Sequence, residues 1–180
     1  MILRKINAVL SIVSTILLLY HAIFHAVWML SRCSIPKTVN SLSWILLAFM
    51  LAHAIISIVL AVLGHKGAEK VKTKSYTKMN LPTIVQRASG ILMVVLMGVH
   101  IAGAFNHFQP KMLHAVLHPL FFIVVLAHLA VSTSKAFITL GIGNAKVVKI
   151  IDVIIRVLCI LTLIASMVGF YICLFVGVAR

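Results

Sequence analysis

Nine histidines share this chain with only two acidic residues. Four of the nine, His21, His53, His100 and His128, fall inside four different apolar stretches. An ionisable side chain at membrane depth is costly and turns toward a bundle interior, where it finds a partner. For an isolated histidine that partner would be a serine, a threonine or a backbone carbonyl on a neighbouring helix. One histidine on each of four helices is a different pattern. It is the pattern that axial ligation of haem iron by paired imidazoles on facing bundle helices requires. Neutral imidazole is a good ligand, and iron removes the cost of an unsatisfied ring nitrogen.

The segments that must position these rings dominate the composition. Hydrophobic residues make up 63% of the 180 residues, charged residues 10%, and the mean hydropathy is +1.19. Soluble domains carry about 25% charged residues, and a chain this short could not hide so much apolar surface in its own core. The sequence reads as a single membrane domain, residues 1–180. Charge-free stretches cover residues 6–30, 41–64, 88–106, 112–134 and 157–179, each near the length of about 20 residues that a helix needs to cross a bilayer. Helix is the form that satisfies the backbone of such a chain in lipid. The expected fold is all-α: a polytopic membrane protein whose five transmembrane helices, at about 6–30, 41–64, 84–106, 112–138 and 150–179, form a haem-binding bundle. Pro36, Pro82, Pro110 and Pro119 punctuate the breaks, and Gly141 and Gly143 loosen the last connection. The first apolar run is too long for a signal-peptide core and has no clear small-residue cleavage site.

The net charge of +14 comes from a scarcity of acids, because lysine and arginine total only 16. Basic residues placed between apolar runs fit contact with membrane lipid and topology signals. Nucleic acid is not an expected partner, since no soluble module remains to present a groove-reading element. Arg4, Lys5, Lys66, Lys70, Lys72, Lys74, Lys78, Arg87, Lys135, Lys146, Lys149 and Arg156 fall on one side, against Arg32, Lys37, Lys111 and Arg180 on the other. That imbalance puts the N-terminus in the cytoplasm and the C-terminus outside; the expected location is the cytoplasmic (inner) membrane of a prokaryote. Cys33, Cys159 and Cys173 lack metal-ligand spacing and read as small buried hydrophobes.

Depth then pairs the histidines. The first and third spans run outward with His21 and His100 late in each, whereas the second and fourth run inward with His53 near the middle and His128 late. An outer couple, His21 with His100, and an inner couple, His53 with His128, is the simplest arrangement. Two stacked haems would then carry electrons across the membrane. Ser14, Ser57, Ser89 and Ser132 lie on the faces of His21, His53, His100 and His128 respectively, where hydroxyls could orient the second ring nitrogen. Ordinary small-residue packing explains them as well. Arg87 and Lys135, on the cytoplasmic side, could neutralise propionates or reach for lipid headgroups. His25, one turn beyond His21, is its rival, and His107, His114 and His118 form an outer group that could serve a quinone headgroup.

The segment Gln86-Arg87-Ala88-Ser89-Gly90, with His100 closing the apolar stretch behind it, resembles the third helix of the di-haem cytochrome b subunit of succinate dehydrogenase and fumarate reductase. Arg4 with His21 resembles that family's first helix, Ala52-His53-Ala54 its second, and His128 with Gly141-Ile142 its fourth. The last span matches only as an apolar helix without histidine. The resemblance implies two haem b groups, with His21 and His100 holding the distal iron and His53 and His128 the proximal one. It makes Arg87 and Ser89 candidates for the haem or quinone environment. It also implies a flavoprotein subunit and an iron–sulfur subunit docked on the cytoplasmic face, and quinone, expected to be menaquinone, as the membrane substrate. The isolated chain would transfer electrons and meet quinone, while dicarboxylate chemistry belongs to the flavoprotein.

This chain departs from relatives that use glutamates in or beside the helices. Glu69 lies in a basic connection, and Asp152 is placed to pair with Arg156 at i+4. Two other readings compete. One keeps the haems in an anchor for another quinone-linked oxidoreductase. The other is a small polytopic transporter, although its usual paired broken helices are not evident.

Overall fold

A computed structural model describes residues 2–31, 37–68, 81–106 and 111–175. They form α1 (Ile2–Ser31), α2 (Lys37–Ala68), α3 (Leu81–Asn106), α4 (Lys111–Leu140) and α5 (Ala145–Phe175). Four helices contain a stretch long and apolar enough to cross a membrane: Ile2–Val27, Ser41–Leu63, Leu81–Ala102 and Pro119–Leu140. Several helices run past the expected bounds: α1 begins at Ile2 and α5 at Ala145. The cause is simple. A charge-free criterion stops at the first lysine, whereas a helix continues through Arg4, Lys5, Lys146 and Lys149, whose long side chains reach back to polar surroundings.

Every helix turns a large apolar face outward. Ile16, Ile55, Ile91, Ile123 and Ile164, one on each, are all more than half exposed. A soluble surface would not expose so much contiguous hydrocarbon. Inside, α1 packs against α2, α4 and α5, and α4 packs against α1, α3 and α5. The helices therefore stand in the row α2–α1–α4–α3, with α5 behind the middle pair. Among the described residues α2 and α3 make no comparable contact with each other, and a cavity lined from α1, α2, α3 and α4 makes the row a trough. Met93 and Leu96 of α3, Val124, Val125 and Leu129 of α4, and Cys159 of α5 form the core.

Lipid offers no hydrogen bonds, so hydroxyls along these helices close on their own backbones. Thr15 donates to Ser11 O (2.8 Å), Thr133 to Leu129 O (2.9 Å) and Thr162 to Leu158 O (2.7 Å). The α4–α5 turn is equally complete. Gly141 takes a left-handed φ of 71°, its N–H bonds Ile138 O and the Ile142 N–H bonds Phe137 O, both at 3.1 Å. That is a Schellman ending, which favours glycine because a Cβ is strained at positive φ. Asn144 Oδ1 then accepts the Val147 N–H at 3.0 Å and caps α5.

The expected pair forms: Arg156, within α5, is ion-paired with the buried Asp152 and also donates to Ala130 O at 3.0 Å. Ala130 sits near the middle of the apolar stretch Pro119–Leu140. The pairing is what makes that depth tolerable.

Candidate functional site

The histidines occupy two levels of the trough. At the outer level α1 supplies His21 and α3 supplies His100, and both line a cavity of about 460 Å³. Leu18 of α1, Trp44, Leu47 and Met50 of α2, Met97 and Ile101 of α3 and Phe121 of α4 form most of its wall. Ser43 Oγ lies 2.9 Å from His21 Nδ1 and fixes that ring against α2. His100 stacks near Phe121, with centroids 6.2 Å apart and planes 12° apart. His25 lies 6.2 Å from the His21 ring and lines a smaller neighbouring pocket of about 40 Å³, which His21 and His100 share.

At the inner level α2 supplies His53 and α4 supplies His128. His53 donates its Nδ1–H to Asn7 O of α1 at 3.3 Å. The Asn7 side chain is held in turn: its Nδ2 donates to Ser57 Oγ (3.1 Å), and Ser57 Oγ donates to Asn7 Oδ1 (3.3 Å). His128 donates its Nδ1–H to Gln86 O of α3 at 3.2 Å, with Ser89 Oγ 3.1 Å away. The Ser89 hydroxyl spends its own proton on Val85 O at 2.6 Å, so it meets His128 as an acceptor. Gly90 lets the ring lie close, because a Cβ there would stand 3.3 Å from His128 Cε1. Lys135 Nζ donates to Gln86 Oε1 at 2.9 Å on the same side.

The hydroxyls therefore divide differently from their expected roles. Ser89 serves His128, on the neighbouring helix, and Ser57 serves Asn7. Ser14 Oγ and Ser132 Oγ are buried with no hydrogen-bond partner. Arg87 is exposed beside this network. Sequence reasoning missed Ser43, Asn7 and the backbone carbonyl of Gln86. An amide inside the apolar first span was the available signal for Asn7, and a carbonyl carries none. His107, Cys33 and Glu69 lie outside the described residues, as do the side chains of His114, His118 and Cys173.

The donor set limits the chemistry. A carbonyl can only accept, so His53 and His128 both carry their proton on Nδ1 and keep an Nε2 lone pair for another partner. A carbonyl that holds the far ring nitrogen and fixes the tautomer in this way is typical of metal-ligating histidine. Yet among the described residues no three His, Cys, Asp or Glu side chains converge to hold a bare ion. Two imidazoles per level suit a metal whose other positions are filled by a planar macrocycle, and a cavity of about 460 Å³ falls within the range of ligand sites. No protein-family model, curated protein or solved structure matches this chain.

Proposed function

We propose that the chain is the membrane-anchor cytochrome b subunit of a succinate:quinone oxidoreductase or quinol:fumarate reductase complex. In this reading it passes electrons between cytoplasmic iron–sulfur clusters and membrane quinone through two b haems. The observation that carries the proposal is the pair of imidazole levels, with the Nδ1–H of His53 and His128 held by carbonyls so that Nε2 is left for iron, and His21 Nδ1 held by Ser43. Haem b, when bound, supplies reversible one-electron chemistry. The protein's own work is to hold the Nε2 atoms, keep water away and set the spacing. His21 and His100 would hold the distal group, His53 and His128 the proximal one.

The outward apolar face of α5, including Leu161 and Ile164, supports a fifth span. Cytoplasmic basic residues put the N-terminus inside and the C-terminus outside, in the inner membrane of a prokaryote. The flavoprotein and iron–sulfur partners, and menaquinone as the quinone, follow from the likeness of residues 86–90 and the four histidines to that family.

A reduced-minus-oxidised spectrum with a pyridine haemochrome assay on the purified chain tests the reading, which expects about two protohaems per chain. His53→Ala and His100→Ala should each remove one. A colourless preparation sinks the proposal and favours a transporter. Two haems with partners other than a flavoprotein and an iron–sulfur protein would assign the anchor to a different oxidoreductase.

A further inference from the structure

The two inner histidines are held by one device used twice. His53 Nδ1 meets the main-chain carbonyl of Asn7 on α1. The side-chain amide of the same Asn7 lies within hydrogen-bond distance of Ser57 Oγ through both its nitrogen (3.1 Å) and its oxygen (3.3 Å), one turn along α2 from His53. His128 Nδ1 meets the main-chain carbonyl of Gln86 on α3, and the side-chain oxygen of the same Gln86 accepts from Lys135 Nζ, two turns along α4 from His128. One amide residue thus touches the histidine's helix at two points, its backbone at the imidazole and its side chain further along the same face.

A helix carbonyl cannot adjust itself. Its direction is set by the helix, with one lone pair left for an outside donor. The next carbonyl lies about 1.5 Å further on and about 100° round the axis. A small slide or turn of α1 on α2 therefore takes Asn7 O away from His53. Apolar faces in lipid supply packing but no hydrophobic force between helices, so polar side-chain contacts are what mark out one register.

We infer that Asn7 and Gln86 are positioning residues for the inner histidines. Each uses its side-chain amide to lock the register that keeps its own main-chain carbonyl at an imidazole Nδ1–H, and so keeps the lone pair on Nε2. Ser57 and Lys135 are the grips. The effect on haem rests on the di-haem reading, whereas the locked tautomer does not. At His128 the lock has a second support, because Ser89 Oγ also lies 3.1 Å from Nδ1. The Asn7 side is the more dependent one.

The test uses the full chain purified from haem-replete cells as wild type, Ser57→Ala, Ser57→Thr, Asn7→Leu and Gln86→Leu. A carbonyl on Nδ1–H makes imidazole a stronger donor to iron, which favours the ferric state. Releasing it should raise the midpoint potential of the inner haem, the one absent from His53→Ala, in Ser57→Ala and Asn7→Leu. The rise should be smaller in Gln86→Leu, and the outer haem should keep its wild-type potential throughout. Ser57→Thr retains the hydroxyl and should restore the inner value. An unchanged inner potential in both Ser57→Ala and Asn7→Leu, a fall in place of a rise, or an equal effect on both haems would overturn the inference. If wild type carries no haem, the di-haem reading fails and the clasp is tested on the same preparation, with isotope-labelled histidine. Nitrogen NMR in vesicles then measures Nδ1–H against Nε2–H at His53. That ratio should fall by about two- to tenfold in Ser57→Ala, the worth of one net hydrogen bond, and return in Ser57→Thr. A ratio unmoved by Ser57→Ala would overturn the inference.

Discussion

A histidine whose Nδ1–H is taken by a main-chain carbonyl has its tautomer chosen before any ligand arrives. His53 and His128 are both in that state. The contact between Gly90 and His128 gives a sharp test of it. Gly90→Ala would push the ring by a few tenths of an ångström. The expected cost is about 1–3 kcal/mol of overpacking, offset by about 1 kcal/mol of helix propensity. The variant should therefore fold and, under the di-haem proposal, keep two haems, with the low-spin electron paramagnetic resonance signal of the inner one displaced and the outer one unmoved. Four histidines were legible in the sequence because an imidazole in an apolar run has no bland surroundings to blend into. Their supports were not. Ser43 reaches His21 only through the register of two antiparallel helices, and the carbonyls of Asn7 and Gln86 exist at every residue. Ser57 and Ser132 share faces with histidines, yet neighbouring helices decide what their hydroxyls meet.

Among the elements, the joint between α4 and α5 is the one whose residues dictate its shape. Gly141→Ala should destabilise by about 1–2 kcal/mol through the left-handed backbone, and Asn144→Ala by about 1 kcal/mol through the lost cap. Unfolding by dodecyl sulfate in mixed micelles, followed by helicity, measures both. Arg156, paired with Asp152 on α5, ties the same two helices deeper in through its bond to Ala130 O. Breaking a fully buried pair costs about 3–5 kcal/mol. Because the Arg156 side chain is 43% exposed, Asp152→Asn should cost less, about 2 kcal/mol, and Asp152→Asn with Arg156→Gln should recover part of it. The i+4 pairing was readable from spacing alone. Its depth was not, since it depends on how far α5 slides along α4, and no local pattern encodes that offset.

At the scale of the molecule, span positions were legible because apolar length is a direct physical requirement of the bilayer. The order of helices around the bundle was not, since each is apolar on nearly every side. The asymmetry of basic residues predicts that Cys33, in the first connection, faces outward. A membrane-impermeant maleimide applied to spheroplasts of a Cys173→Ser variant should label it without lysis, while buried Cys159 stays unmodified. Labelling that requires lysis would invert the orientation.

A bundle in which two helices each lean on a single neighbour behaves like a pair of jaws. Among the described residues α2 and α3 make no extensive contact with each other, so the hydrocarbon chains around them supply part of the closing force. Membrane composition then becomes a control on the outer cavity: lipids that squeeze hardest at the level of Trp44 and Ile101 would narrow it most, and detergent would relax it first.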